Sequence, residues 1–189
     1  MSRQTIVIDL DACLGCHACA TVCKQEHLVG LGSHWNKVLD IGPTGRFPDL
    51  ELYYLPVLCQ QCDNPTCVRV CPTGASYKRD DGVVLVKHDR CIGCKYCVMA
   101  CPYGVRQFNE DAGIIEKCTL CAQRPDAGTQ PVCVRACPAQ CRAYGDLDDP
   151  DSEVSRISRA AGDHAHRLLD LGNHPAMVYI LHKHAWRNG

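Results

Sequence analysis

The chain has 189 residues, enough for one sizeable domain or two small ones, with 46% apolar residues and a formal net charge of −1. No apolar run approaches the ~18 to 20 residues needed to span a bilayer; the longest, Leu52 to Cys59 and Met177 to Leu181, are strand-sized. Seventeen cysteines stand against only two Phe and two Trp, so something other than aromatic packing must fill the centre.

Disulfides, zinc and iron–sulfur clusters compete to explain the cysteines. Disulfide frameworks belong to short secreted chains with even counts. Here a secretory leader is not expected, because Ile6, Val7 and Ile8 run straight into Asp9 and Asp11, and Arg3 lacks a twin arginine. Zinc ribbons use C-x2-C pairs separated by longer gaps, without a third cysteine three residues on and a fourth followed by proline. The iron–sulfur reading fits best. Thiolate ligands also change the charge: a 2+ cubane on four thiolates carries about −2, so four would add about −8. Lys24, Arg69, Lys95 and Arg135, beside cysteines, are candidates to compensate it or are ordinary surface charges.

Thr5 to Leu10 reads as a strand of branched residues leading into Cys13-x2-Cys16-x2-Cys19-x3-Cys23, where Lys24 replaces the proline that usually follows the fourth cysteine. Gly15 supplies the backbone freedom of a tight wrap. Two strand-like pieces, Trp35 to Ile41 and Leu50 to Leu58, flank a turn holding Gly42-Pro43 and Gly45, which predicts a long hairpin that covers clusters from water. Trp35, Tyr53 and Tyr54 are read as packing residues.

The central block is Cys59-x2-Cys62-x4-Cys67-x3-Cys71-Pro72, then Cys91-x2-Cys94-x2-Cys97-x3-Cys101-Pro102. The segment between them, Thr73 to Val86 with Asp81-Gly82 at its turn, predicts a hairpin. A short strand is expected around Ile114 and Ile115. The fourth group is Cys118-x2-Cys121-x11-Cys133-x3-Cys137-Pro138, with a polar loop before its third cysteine. Beyond Cys141, Asp149-Pro150, Asp151 and Glu153 followed by Val154, Ile157 and Ala161 predict a helix stopped by Gly162, and Met177 to Leu181 an extended piece. His164, His166, His174, His182 and His184 surround that piece and are read as surface histidines rather than a metal site.

C-x2-C-x2-C-x3-C-P is the ferredoxin signature, three thiolates on one [4Fe–4S] cluster and the fourth on its neighbour. Applied throughout, this rule predicts four clusters. Cys13, Cys16, Cys19 and Cys137 hold cluster 1; Cys59, Cys62, Cys67 and Cys101 hold cluster 2. Cys91, Cys94, Cys97 and Cys71 hold cluster 3; Cys118, Cys121, Cys133 and Cys23 hold cluster 4. Cys141 is left as a small buried thiol beside the last cluster. The expected fold class is α+β, with two ferredoxin-like modules. The outer one (1–58 and 106–148, including the inserted hairpin) is split around an inner one (59–105), and a helix and extended tail follow (149–189). The outer groups should extend the electron path on both sides of the central block. No dinucleotide fingerprint, P-loop or nucleophile motif is present, so no catalytic residue is expected.

With its four groups in order, the x4 gap of the second, the x11 loop of the fourth, and Cys137-Pro138 followed by Arg142 and Gly145-Asp146-Leu147, the chain resembles the four-cluster ferredoxin-like subunits of complex iron–sulfur molybdoenzymes. That group includes polysulfide, dimethyl sulfoxide, tetrathionate and arsenate reductases and phenylacetyl-CoA:acceptor oxidoreductase. The resemblance implies an electron-transfer subunit wiring a large catalytic subunit, with molybdenum or tungsten bis-pterin, to an integral-membrane quinone-reactive subunit or another acceptor. No nucleic-acid partner is expected. The location it implies is peripheral in a membrane-associated complex, cytoplasmic unless an exported partner carries the chain to the periplasm. A free-standing polyferredoxin-type carrier and a hydrogenase or formate dehydrogenase electron-transfer subunit are the alternatives. The last is disfavoured because no C-terminal transmembrane helix is visible.

Overall fold

A computed structural model describes residues 2–187. Its central feature is a four-stranded sheet, and its strands come from both ends of the chain. Strand β1 (Gln4–Asp9) carries the branched run Thr5 to Ile8, four consecutive buried residues, as expected of a strand covered on both faces. It leads into the first cysteine group and helix α1 (Ala18–His27). The inserted hairpin follows as β2 (Asn36–Arg46) and β3 (Asp49–Leu58), paired antiparallel. The turn falls at Phe47-Pro48, not at Gly42-Pro43. Gly42-Pro43 instead marks a register shift between Ile41 and Thr44, a proline being tolerated in a strand where the ladder is interrupted.

Helix α2 (Thr66–Arg69), the hairpin β4 (Ser76–Lys78) and β5 (Val84–Val86), helix α3 (Tyr96–Met99) and a second small hairpin, β6 (Gln107–Asn109) and β7 (Ile114–Glu116), make up the middle of the chain. Helix α4 (Val132–Arg135) precedes β8 (Arg142–Asp146) and α5 (Glu153–Ala161). Ser152 caps α5, its hydroxyl accepting from the Ser155 N–H at 3.2 Å, so the cap lies three residues later than Asp149. Gly162 ends the helix as expected.

The tail is structural. After β9 (Ala165–His166), strand β10 (Val178–Ile180) inserts beside β1, giving the order β8-β1-β10-β9. It pairs with β1 in parallel, Val7 opposite Val178, while β8 pairs antiparallel on the other side, Ile8 opposite Arg142. Met177, Tyr179 and Leu181 are buried in the principal core with Ile6, Ile8 and Leu10; Val178 and Ile180 face α5 through Val154 and Ala161. The alternation of two buried faces is the period-2 geometry of a strand packed on both sides.

Two long-range matches position the cysteines. The β1–β8 ladder holds Ile8 opposite Arg142, and Asp9 N–H donates to the Cys141 carbonyl at 2.8 Å, bringing the loop after Asp9 and the end of the fourth group to one edge. The β4–β5 hairpin pairs Ser76 with Val86, residues five after Cys71 and five before Cys91, and so brings those two cysteine loops together. Helix α1 packs on α4, and α2 on α3.

Candidate functional site: the cysteine groups

Each of the four groups folds by the same local rules. The residue before the second cysteine is left-handed in all of them: Gly15 (φ 63°), Gln61 (45°), Gly93 (66°) and Leu120 (53°). This repeated kink bends the chain between the first two cysteines. The third cysteine, Cys19, Cys67, Cys97 or Cys133, sits inside a helix, and α2, α3 and α4 each end two residues before the fourth cysteine. Proline lacks an N–H and disfavours helical geometry in the residue before it, which is why Cys71-Pro72, Cys101-Pro102 and Cys137-Pro138 terminate these helices after one turn. Where Lys24 takes the proline's place, α1 runs on through Cys23 to His27 and closes at Leu28 in left-handed geometry. After each Cys-Pro the chain kinks again at Gly74, Gly104 or Gln140, whose N–H groups donate to the carbonyls of Cys71, Cys101 and Cys137 at 3.3, 3.4 and 3.1 Å.

Thiols from different groups lie near one another. Burial pushes the Cys62 thiol up to about 12, with Cys59, Cys67 and Cys101 as the cysteine neighbours that push with it. Burial also raises Cys97, whose cysteine neighbours are Cys71 and Cys91; Cys94 is exposed on the same loop. Cys13, Cys16, Cys19 and Cys137 line one small cavity with Cys141 and Arg142. Burial raises Cys23 to about 12, beside Cys133, Cys121 and Cys19. Cys118, buried, is held well above the ordinary thiol range by burial and then by Cys23, Cys133 and Cys59. Cys141 is buried, its Sγ 3.4 Å from that of Cys137, and a hydrogen bond from it lowers Cys13 to about 6. It therefore sits with the first group's cysteines, not beside Cys118 and Cys121.

Around the sulfurs lies a set of N–H donors that sequence spacing did not indicate. Arg106 Nη2 donates to Cys67 Sγ at 3.0 Å, Arg142 Nη2 to Cys19 Sγ at 3.0 Å, Asn173 Nδ2 to Cys62 Sγ at 3.1 Å, Ser76 N–H to Cys71 Sγ at 3.3 Å and Ile115 N–H to Cys91 Sγ at 3.4 Å. His27 Nε2 is 3.2 Å from Cys121 Sγ. The buried cations are Arg106, Arg142 and Lys117; Arg69, Lys95 and Arg135, adjacent to cysteines in sequence, are exposed. Lys24 donates away from sulfur to the carbonyls of Gly30 and Ser33, at 2.8 and 2.7 Å, and Lys95 lies over the Phe108 ring at 4.0 Å. In the histidine-rich tail, the His164 and His182 rings are 4.4 Å apart and His166 stacks on Trp186 at 4.9 Å.

These surroundings fit iron–sulfur clusters. Sulfur donors are soft ligands suited to such clusters, all seventeen thiols are free, and Nη1 of both Arg106 and Arg142 is buried without a hydrogen-bond partner among the described residues. A buried guanidinium N–H left unpaired is costly, and an acceptor within the cradle would satisfy it. The two cover hairpins complete the enclosure: a Cβ on Gly15 would lie 2.4 Å from the Tyr54 ring of β3, and one on Gly93 would lie 2.5 Å from the Gly113 carbonyl between β6 and β7.

Fold and cradles together define a ferredoxin-like iron–sulfur protein. The sequence model of the 4Fe-4S dicluster domain matches residues 50–147, and that of a 4Fe-4S binding domain matches residues 10–26. The chain is 43% identical to a sulfite dehydrogenase subunit of Allochromatium vinosum, over 95% of this chain and 83% of that one. It is 36% identical to the arsenate respiratory reductase iron–sulfur subunit ArrB of a Shewanella species (94% and 96% covered) and 39% identical to a tetrathionate reductase subunit of Salmonella typhimurium (94% and 72%). The chain belongs to the 4Fe-4S dicluster family of ferredoxin-like electron-transfer subunits. No helix among the described residues is long and apolar enough to cross a membrane.

Proposed function

We propose that the chain carries four [4Fe–4S] clusters and passes single electrons between a catalytic subunit, holding molybdenum or tungsten on a bis-pterin, and a quinone-linked membrane subunit or other acceptor. The relatives' names support the setting, a respiratory arsenate reductase, a tetrathionate reductase and a sulfite dehydrogenase among them. Cluster 1 takes Cys13, Cys16, Cys19 and Cys137; cluster 2 takes Cys59, Cys62, Cys67 and Cys101. Cluster 3 takes Cys91, Cys94, Cys97 and Cys71; cluster 4 takes Cys118, Cys121, Cys133 and Cys23. The first and fourth groups form an outer ferredoxin module around the inner one, a reading supported by the packing of α1 on α4 and α2 on α3 and by the β1–β8 ladder.

The observation that carries the electron path is a run of neighbouring thiols. The Cys133 thiol pushes Cys19 up and the Cys59 thiol pushes Cys118 up, while Arg106 donates to Cys67 and its charge also favours Cys97. The path then runs through clusters 1, 4, 2 and 3, and the two exposed cysteines, Cys16 and Cys94, belong to its two ends. This order differs from one in which the outer groups flank the central block on both sides; the influence of Cys59 on the buried Cys118 supports it. Such clusters, when bound, exchange one electron each. The protein's own part is to bury the middle ligands, supply N–H donors to sulfur and leave the end ligands near the surface, where the partners dock. The catalytic step lies on another chain, and the subunit is peripheral to its complex.

The test is to isolate the native complex, identify its other chains and measure iron, molybdenum and tungsten. About sixteen irons per chain and a large molybdenum- or tungsten-containing partner are expected. Eight irons, or a chain that purifies alone without either metal, would refute the reading.

A further inference from the structure

Arg106 and Arg142 occupy the same place in their groups: Cys101 to Arg106 and Cys137 to Arg142 are each five residues, across Cys-Pro and a left-handed kink at Gly104 or Gln140. Both side chains are buried, 3% and 6% exposed. Neither has a carboxylate partner among the ion pairs of the described residues. A guanidinium is always charged, and a buried charge is strongly unfavourable unless paired. The anions within reach are thiolates, and each arginine reaches two of them. Arg106 donates to Cys67, and its charge also favours the Cys97 thiolate. Arg142 donates to Cys19, and its charge likewise favours the Cys133 thiolate. These four are the third cysteines of the four groups.

The equivalence extends to the residues that are not arginine. Five residues after Cys71 is Ser76, whose hydroxyl lies 2.7 Å from Arg106 Nη2 and makes room for it. Five after Cys23 is Leu28, carried out of the site and 89% exposed because α1 continues past Cys23. Each module thus has two equivalent positions and one arginine.

We propose that Arg106 and Arg142 are paired cationic bridges, each buried between the two clusters of one module, hydrogen-bonded through Nη2 to the third ligand of one and with Nη1 left free for the other, so that each sets the potentials of two clusters together. The inference rests on the ligand sets proposed above. Adding an electron makes a cluster more negative, and a desolvated cation between two clusters favours the reduced state of either. It also offsets the repulsion between them, easing transfer across the pair. Both act through the ligands.

The experiment is potentiometric titration followed by EPR on the complex carrying R106Q, R142Q, R106K or R142K, with iron determined for each. R142Q is expected to lower the midpoint potentials of two clusters and leave two unmoved. R106Q should lower the complementary two. The lysine variants should shift the same pairs by less, since charge is kept and the two-armed fork is lost. If a Gln variant fails to hold clusters, about half the iron should go, both clusters of one module, with full iron restored in the Lys variant. Shift or loss of a single cluster, equal shifts in all four, or no shift would overturn the bridge. A wild-type complex without about sixteen irons would instead refute the four-cluster reading on which it stands.

Discussion

Gly15 lies directly beneath Tyr54, so close that a Cβ built on the glycine would come 2.4 Å from the tyrosine Cε1. The left-handed backbone alone does not demand glycine there, because Gln61 and Leu120 hold the same conformation at the equivalent positions. The demand comes from the hairpin pressed against the loop. Gly74 supplies the control: its φ is 64°, and an added Cβ would meet nothing within 4 Å. Gly74→Ala should cost ~1 kcal/mol, the strain of a side chain in left-handed geometry. Gly15→Ala should cost ~2 to 4 kcal/mol, since the clash adds overpacking to that strain. Thermal or denaturant unfolding of the cluster-loaded protein compares them, and equal losses would show that Tyr54 yields without cost.

Asn173 reaches from the tail to donate one amide hydrogen to Cys62 Sγ at 3.1 Å and one to the Tyr103 hydroxyl at 2.9 Å. An N–H bond to a ligand sulfur is worth more when the cluster is reduced and more negative. Asn173→Leu should therefore lower the potential of one cluster by tens of millivolts, taking about 1.4 kcal/mol as 59 mV for a single electron. EPR-monitored titration reads this, and an unchanged potential would deny Asn173 any tuning role.

Cys67 and Cys141 provide the contrast between ligand and spectator. Cys67→Ala should remove one cluster, about four irons, and leave Arg106 without its closest anion, a loss of ~3 to 5 kcal/mol by analogy with broken buried ion pairs. Cys141→Ala should keep the full iron load and cost ~1 kcal/mol or less of packing. Iron assays on the two variants decide, and loss of iron on replacing Cys141 would make it a ligand.

Glu26 and Arg124 form a two-pronged pair, both bonds 2.7 Å, that ties the end of α1 to the loop inserted before Cys133. The Arg124 guanidinium holds the Glu26 carboxyl below its ordinary value of 4.5. Because the folded value is depressed, the pair's contribution is complete above the ordinary carboxylate range and fades as pH falls through the lower folded value. Solvent-screened surface pairs contribute little to stability, so Glu26→Gln should leave global unfolding almost unchanged while speeding proteolytic cleavage between 122 and 131. Identical digestion rates would mean the loop is held by other contacts.

The cysteine groups were legible because their chemistry is local: spacing and Cys-Pro dictate short helices and repeated kinks, and most strands announced themselves as branched runs bounded by turns. What escaped was nonlocal. The five residues from Cys101 to Arg106 carry no sign that the arginine folds back on Cys67, so Lys24, Arg69, Lys95 and Arg135 looked equally suited to balancing the thiolates. Only Val178 to Ile180 form β10, three residues with no periodicity of their own, and their place beside β1 is fixed by burial of Met177 and Tyr179. The helix cap moved from Asp149 to Ser152 because several good capping residues stand in a row, and the tertiary course of β8 selects among them. The hairpin turn moved to Phe47-Pro48 because Gly42-Pro43 serves equally well as a bulge.

The tail's burial makes it as consequential as the cysteine loops. Met177 is fully buried, and Met177→Ala should cost ~2 to 4 kcal/mol from transfer and cavity terms, measurable by denaturant unfolding. A loss under 1 kcal/mol would mark the C-terminal strand as dispensable.

The parallel pairing of β1 with β10 also orders events during synthesis. Chains emerge from the ribosome N-terminus first, at about 5 to 20 residues per second. On the ligand sets proposed here, both inner cradles have all their sulfurs once Cys101 is out. The cradle begun at Cys13 waits for Cys137, and its flanking strand waits for Val178. The first cysteines made are among the last to be enclosed, which leaves Cys13, Cys16, Cys19 and Cys23 the thiols most open to oxidation in a nascent chain, and the inner pair the natural starting point for iron delivery.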